Sequence, residues 1–385
     1  MIEILVGLSL AIWLFLLLFW GGFWRADQRL EPATKNITET IAPYPRICAV
    51  VPARDEAEAI ADSLTSLLKQ NYSGEFSVIL VDDNSSDRTS EIAQATAESL
   101  GKKQNLKIIE GKPLAAGWKG KLWAMHQGVE YAQAQAPDYI LFTDADIQHA
   151  SDNLAQLVSQ AQTDNLDLVS LMVLLRCQSF WEKLLIPAFV FFFQKLYPFP
   201  WVNDSRKSLA AAAGGCVLIS NEALESIGGI SAIKDALIDD CTLAQAVKSQ
   251  QKKIWLGLTE TTISLRGYDN LKVIWDTIAR TAYTQLNYSP LQLVGTLIGM
   301  TLVYLVAPIC LVISILNSHW LVVGTCILTW ILMTVAYFPT IKLYQLSFVW
   351  TLGLPAIAFL YTLMTLDSAV KYYQGQGGAW KGRTY

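Results

Sequence analysis

Four uncharged, strongly apolar runs constrain this chain more than any other feature: residues 4–24, 291–316, 320–338 and 348–366. A helix rising 1.5 Å per residue needs roughly 20 such residues to cross about 30 Å of hydrocarbon, and each run approaches or exceeds that length. The composition agrees, with 52% hydrophobic and only 16% charged residues in a 385-residue chain, where a soluble protein is about 25% charged. The expectation is an integral membrane protein. Net charge is -4, from 29 basic and 33 acidic residues without a long like-charge block, so there is no nucleic-acid footprint. The six cysteines form no CxxC pair, which leaves no support for a zinc site or disulfide framework and fits a reducing, cytosolic side.

Charge flanks give an orientation. Only Glu3 precedes the first run, whereas Arg25, Arg29 and Lys35 follow it. By the positive-inside tendency Met1 lies outside and the next segment in the cytosol. No basic stretch precedes this run and no small-residue cleavage site follows it, so it reads as a retained anchor. Four crossings from an outside start would leave Lys371, Lys381 and Arg383 outside as well, against the same tendency. Either the tail is external, or the 26-residue run containing Pro308 is re-entrant or split. The organisation expected is an anchor and linker over 1–40, a cytosolic domain over 41–288, C-terminal transmembrane helices over 289–370 and a basic tail over 371–385.

In the cytosolic segment short apolar runs alternate with polar helical stretches, the pattern of an α/β domain with a mainly parallel sheet. Strands are expected at 46–52, 76–81, 106–109 and 139–143, with helices at 55–70, 87–100 and 123–134. Ligands of such sheets bind beyond the carboxyl ends of the strands. Three acidic turns fall there: Asp55/Glu56, Asp82/Asp83 and Asp144/Asp146. A helix cap explains Asp55 or Asp87 taken singly, but not three coincidences. Asp144 and Asp146 suit Mg²⁺ or Mn²⁺ shared with phosphate oxygens. His149 is a further Mn²⁺ candidate, against the blander reading of a solvated or capping histidine. Gly117-Trp118-Lys119-Gly120-Lys121 opens a helix with free N–H groups and two ammonium groups, an anion site without Walker spacing. Gly214-Gly215 precede a strand at 216–220 and a short helix at 221–226, with a tight turn at Gly228-Gly229. Asp239-Asp240 open another helix; capping explains one carboxylate and leaves the other available as a base.

Two stretches look interfacial. Residues 270–286 place Leu271, Ile274, Trp275, Ile278, Ala282 and Leu286 on one face and Lys272, Asp276 and Arg280 opposite, as in a helix lying on a membrane or on a core. Residues 181–201 are aromatic and apolar, but the ten apolar residues at 184–193 are too few to span, so the stretch reads as interfacial or buried.

Taken together, VPARDE (51–56), VDDNSSD (81–87), GWKGK (117–121), TDAD (143–146), GGCVLIS (214–220) and DDCTLA (239–244) resemble, in this order, glycosyltransferase family 2, inverting nucleotide-sugar enzymes with a GT-A fold. The chain looks closest to the membrane-bound hopanoid-associated glycosyltransferases and is also similar to ceramide glucosyltransferases. The resemblance covers about 47–288 and the apolar helices. It implies that Pro52, Ala53 and Glu56, with Asp82 or Asp83, hold the nucleoside, that Lys121 approaches the diphosphate, and that Asp144 meets ribose or metal. Asp146 would bind Mg²⁺ or Mn²⁺, and Asp240, beside Asp239, would be the general base. Two departures stand out: the usual Glu-Asp pair is Asp239-Asp240 here, and the Q/RxxRW motif reduces to Arg280 without a following Trp. The implied activity is hexose transfer from a nucleotide sugar to a membrane lipid at the cytosolic face of a bacterial inner membrane. A hopanoid is the family-level acceptor, with diacylglycerol, sphingolipid and polyprenyl phosphate as rivals. A nucleotidyltransferase and an inactive nucleotide-binding scaffold are the competing readings.

Overall fold

A computed structural model of the chain describes residues 1–30 and 43–375; Lys35, Lys381 and Arg383, used above for orientation, lie outside the described residues. An eight-stranded sheet has the order β3-β2-β1-β4-β7-β6-β8-β5, with β1 Ile47–Ala53, β2 Phe76–Asp82, β3 Leu106–Glu110, β4 Tyr139–Thr143, β5 Ile147–His149, β6 Leu168–Leu174, β7 Cys216–Ser220 and β8 Ile254–Ser264. The domain helices are α2 Ile60–Leu68, α3 Thr89–Ser99, α4 Gly120–Gln133, α5 Asn153–Thr163, α6 Phe180–Leu196, α7 Phe199–Val202, α8 Asn221–Ser226, α9 Asp239–Ser249 and α10 Leu271–Thr281. They follow the apolar α1, Ile2–Phe19.

Strand alternation sends successive side chains to opposite faces, and both faces of this sheet are covered. Cys48 and Val50 of β1 join one core with Ile79, Val81 and Met125, whereas Ile47, Ala49 and Val51 join the other with Ile60, Leu64 and Ala93. The sheet is mixed, parallel in four of its seven pairings, because β7 runs antiparallel to β4 and β6 and β5 antiparallel to β8. The mainly parallel reading therefore holds for β3-β2-β1-β4, and the second half departs from it. Strands β5, β6 and β8 and helix α5 are additions to the elements expected from the pattern. Helix α2 begins at Ile60 rather than near 55, because Asp55 takes a left-handed φ of 52° and turns the chain.

This topology puts several chain segments on one edge. β1, β2 and β4 are parallel and end at Ala53, Asp82 and Thr143. Thr143 pairs with Cys216, the first residue of β7, so Gly214 and Gly215 precede that strand at the same edge. β6 and β8 run back in the direction of β4, so Arg266 arrives there too. The order reverses between β1, which leads outward to β2 and β3, and β4, which starts the other half. That is the switch point at which open α/β sheets leave a crevice.

Four helical stretches are long and apolar enough to cross a membrane: α1, α11 (290–316), α12 (320–343) and the 348–373 segment ending in α13, Leu354–Tyr373. The anchor helix is shorter than the apolar run, because Gly21 and Gly22 adopt φ of 61° and 60° and end it. The following chain bridges to β8 at Leu258. One core is continuous from the sheet into these helices, joining Val217 and Leu256 to Tyr304, Met333, Tyr337 and Met364. Residues 181–201, read as interfacial or buried, form α6 and α7, with Leu185, Ala188, Val190 and Phe191 inside that core.

Helix α4 lies so close to the sheet that a Cβ on Gly128 would collide with the Val50 side chain and meet Val81 Cγ2 at 3.1 Å. Gly128→Val is therefore expected to destabilise the protein by about 1–3 kcal/mol, read as a lower midpoint of thermal unfolding in detergent; an unchanged midpoint would show that α4 can move away.

Candidate active site

The crevice at the switch point is a cavity of about 170 Å³ lined by Pro52 and Glu56 from the end of β1, Lys119 and Lys121 from the start of α4, and Asp144 and Asp146 beyond β4, with Asp239, Arg266 and Arg280 closing it. A small recess beside it adds Gly214 and Asp240. Lys121 ties the parts together, its Nζ lying 2.9 Å from Asp144 Oδ1 and 3.2 Å from Asp239 Oδ2. Burial alone would lower its pKa, but Asp144 and Asp239 outweigh that and hold it above the ordinary lysine value. The start of α4 is fixed by a bond from the Lys119 N–H to the Lys234 carbonyl at 2.9 Å.

Asp240, second residue of α9, is oriented by two backbone donors. Its Oδ2 accepts from the Gly214 N–H at 2.8 Å and its Oδ1 from the Cys241 N–H at 2.7 Å. Burial and the neighbouring Asp239 push its pKa up to about 6, against the opposing pull of Lys121 and the two N–H groups. Gly214 lies at this site: a Cβ there would stand 3.3 Å from Lys121 Nζ and 3.4 Å from Asp240 Oδ2.

Asp146 is also pushed up to about 6, by burial first and then by Asp144 and Glu56, with Arg266 opposing. Among the described residues no three His, Cys, Asp or Glu converge as a ready-made metal cage. The cavity and recess together carry five carboxylates, Glu56, Asp144, Asp146, Asp239 and Asp240, against four cations, Lys119, Lys121, Arg266 and Arg280. A diphosphate entering this space needs added positive charge. Two hard carboxylates at one strand end, with phosphate oxygens to complete the shell, fit Mg²⁺ or Mn²⁺.

Other expected residues have different places. Asp82 structures the turn after β2, accepting from the Ser85 N–H at 2.9 Å and from the Ser90 hydroxyl. Asp83 is buried and faces Arg54 at 3.8 Å. Neither lines the cavity, nor does Ala53, although all three sit at its edge of the sheet. Asp87 ties two turns together, accepting from the N–H groups of Ala57 and Thr89. His149 does not line the cavity and is not solvated: it is 4% exposed, with Nε2 2.9 Å from Thr143 Oγ1 and Nδ1 3.0 Å from Asn153 Nδ2. Burial lowers its pKa to about 4, so it stays neutral. Arg280 leaves the polar outer face expected for it and enters the cavity, its pKa lowered by burial and by Arg266. Arg266 was not foreseen from the sequence; its one signal is its position after a long strand that ends at the active edge.

A groove of about 830 Å³ adjoins the cavity and shares Lys119, Ala236, Leu237 and Arg280 with it. Its outer walls include Tyr197, Gln245, Tyr283, Ser368 and Tyr372. The groove thus runs from the acidic edge to the apolar helices.

Comparison with known proteins agrees with this geometry. Residues 48–228 match the model of Glycosyl transferase family 2. The chain is 34% identical over 146 residues to the "Probable glycosyltransferase YdaM" of Bacillus subtilis, covering 37% of this chain and 33% of that protein. It is 27% identical over 205 residues to the "Beta-monoglucosyldiacylglycerol synthase" of Trichormus variabilis, covering 52% and 40%. The chain thus spans well under half the length of these relatives. In fold it is similar to the mannosyltransferase PcManGT of Pyrobaculum calidifontis, solved with GDP-Man and Mn²⁺, with a TM-score of 0.54 at 18% identity over 97% of this chain and 99% of that one. The sheet is of the GT-A type, and the segment 48–228, just under half of the chain, is similar to glycosyltransferase family 2.

Proposed function

We propose that this protein is an inverting hexosyltransferase that moves a sugar from a nucleotide sugar, a UDP-hexose by expectation, to the hydroxyl of a membrane lipid at the cytosolic face of a bacterial inner membrane. The observation that carries the proposal is the pairing of two spaces. A charged cavity at the sheet edge adjoins a groove that reaches Ser368 and Tyr372 of α13, and α9 borders both, its Asp239 and Asp240 on the cavity and recess and its Cys241, Thr242 and Gln245 on the groove. The motifs suggest a hopanoid as acceptor, and the name of one relative suggests a diacylglycerol-based lipid.

In this reading the acceptor oxygen attacks the anomeric carbon from the groove side while its proton passes to the Asp240 carboxylate. The bond from the anomeric carbon to the phosphate oxygen breaks, and its electron pair leaves with the nucleoside diphosphate. Attack and departure on opposite faces invert the centre, and no glycosyl-enzyme forms. Pro52 and Glu56, with Ala53, Asp82 and Asp83 behind them, would hold the nucleoside. Lys121 and Arg280 would face the diphosphate, where fixed cations stabilise developing charge. Asp144 and Asp146 would hold Mg²⁺ or Mn²⁺, whose chemistry is to neutralise the leaving group.

Nucleotide release and lipid mass test this. Purified protein in native lipid extract, given a panel of UDP- and GDP-sugars, should release nucleoside diphosphate and yield lipids heavier by one sugar in mass spectrometry. Chelation should abolish the signal and Mn²⁺ or Mg²⁺ restore it. Release of inorganic diphosphate would point to a nucleotidyltransferase instead, and silence from folded, nucleotide-bound protein to a scaffold.

Asp240→Asn should lower kcat by roughly 10²–10⁴-fold with nucleotide binding retained. Because Asp240 must be ionised to accept a proton and its pKa is pushed up to about 6, wild-type activity should fall as pH drops through about 6. A flat profile from pH 5 to 8 would remove Asp240 from the role of base.

Lys121→Met takes away a charged partner of the diphosphate and should weaken nucleoside diphosphate binding in calorimetry by roughly 10- to 100-fold. It also removes the cation that lowers the Asp240 pKa, so the acid limb should move to higher pH. Unaltered affinity would place the diphosphate elsewhere.

A further inference from the structure

Hydropathy reads four crossings, and the contacts of the four apolar stretches divide them into three and one. Helices α1, α11 and α12 each have one end on the catalytic domain and one end away from it. Val6, Val306, Cys310, Val322 and Cys326 pack together as a separate cluster at the far end. At the near end Trp20 of the chain leaving α1 donates to the Lys195 carbonyl at 2.9 Å, Tyr288 before α11 packs on Tyr283, and Tyr337 of α12 packs on Phe191.

The last segment is different, because the domain holds it at both ends and along its length. It leaves α12 at Tyr344, which is buried in the core shared with the sheet. Trp350 then packs on Phe180, the first residue of α6, and Tyr361 donates to the Leu185 carbonyl at 2.8 Å. Further on, Asp367 accepts from Trp275 Nε1 at 2.7 Å, Ser368 Oγ accepts from the Tyr283 N–H at 3.0 Å, and Lys371 lies 2.9 Å from Asp276. Finally Tyr372 stacks on Tyr288 with centroids 4.4 Å apart. A helix of 20 residues is about 30 Å long; had α13 crossed the bilayer, one of its ends would stand a membrane thickness from the domain. Instead α13 runs beneath α6 and α10.

We propose that residues 345–373 form a re-entrant segment that enters and leaves the bilayer on the catalytic side and seats its outer face in the acyl region of that leaflet. The outer face is apolar: Phe348, Val349, Leu352, Phe359, Leu366 and Val370 are 42–68% exposed. It joins the exposed face of α12, where Phe348 packs on the exposed Phe338, and a lipid leaflet is the occupant that covers both together. Three crossings from an outside Met1 place Lys371 inside with Arg25 and Arg29, which resolves the conflict in the charge count. The re-entrant run is thus the last one, not the run containing Pro308. Ser368 and Tyr372 line the 830 Å³ groove; on the function proposed above, the groove would take its acceptor from this leaflet.

The topology is tested independently of catalysis. Single cysteines at three exposed positions are labelled with a membrane-impermeant maleimide in intact cells and in inverted vesicles, against the parent protein as baseline. These are Gln104→Cys on the domain, Ser318→Cys in the turn between α11 and α12, and Gln374→Cys at the end of α13. Gln374→Cys is expected to label with Gln104→Cys and on the opposite side from Ser318→Cys. Labelling with Ser318→Cys would overturn the proposal and restore four crossings. A bimane on Phe359→Cys should be quenched by doxyl-labelled lipids and shielded from iodide; quenching by iodide alone would overturn the leaflet contact. Neither outcome depends on whether sugar transfer is observed.

Discussion

The site is organised around one ammonium group. Lys121 Nζ bridges Asp144, beyond β4, and Asp239, at the start of α9, elements almost a hundred residues apart in sequence. Without that cation the carboxylates of the two segments would face each other in a partly dehydrated crevice, where like charges repel strongly. Its position follows from the helix it opens: Lys121 sits in the first turn of α4, and the packing of that helix against β1 and β2 through Gly128 sets how far the ammonium reaches. Packing on the sheet and charge balance at its edge are in this sense the same constraint.

The apolar helices are not a separate anchor. The core under the sheet runs without a break into α11, α12 and α13, and α10, which carries Arg280 into the cavity, is tied to α13 by Trp275–Asp367 and Asp276–Lys371. Exposed ion pairs contribute little singly, about 0–1 kcal/mol. Combined with the Tyr283–Ser368 bond and the tyrosine stack, they fix the angle of α10. The position of Arg280 therefore depends on how α13 is held against the domain.

Much of this was legible in the sequence because the relevant signals are local. β4 and β7 lie where the residue pattern puts them, and the acidic turns fall at strand ends because a parallel α/β unit has few other places for them. What was not legible depends on pairings that no local pattern records. β7 runs antiparallel, and that reversal brings Gly214 to Asp240 and lets β8 deliver Arg266 to the same edge. His149 looked available because a histidine near two aspartates is chemically plausible as a ligand; the short β5 turns it into the core, where Thr143 and Asn153 hold it. Apolar length likewise reports that a run prefers lipid, not whether it returns. Residues 348–366 meet the length rule as well as the three other runs, and it is the contacts with the domain from Tyr344 through Tyr361 to Tyr372 that set them apart.

The same balance of forces would suit the carboxylate at position 240 to the proton transfer proposed for it. Left at its ordinary pKa it would be a weak base, and buried without partners it would be protonated and useless. Here burial and Asp239 raise it, while Lys121 and the N–H groups of Gly214 and Cys241 pull it back, and the result is a value of about 6. At pH 7 most copies are then ionised, yet the group is a stronger base than a solvated aspartate. The Gly214 N–H belongs to this balance as much as the lysine does. A Cβ at 214 would stand 3.3 Å from Lys121 Nζ and 3.4 Å from Asp240 Oδ2, so glycine at this position leaves room for the two side chains whose charges set that balance.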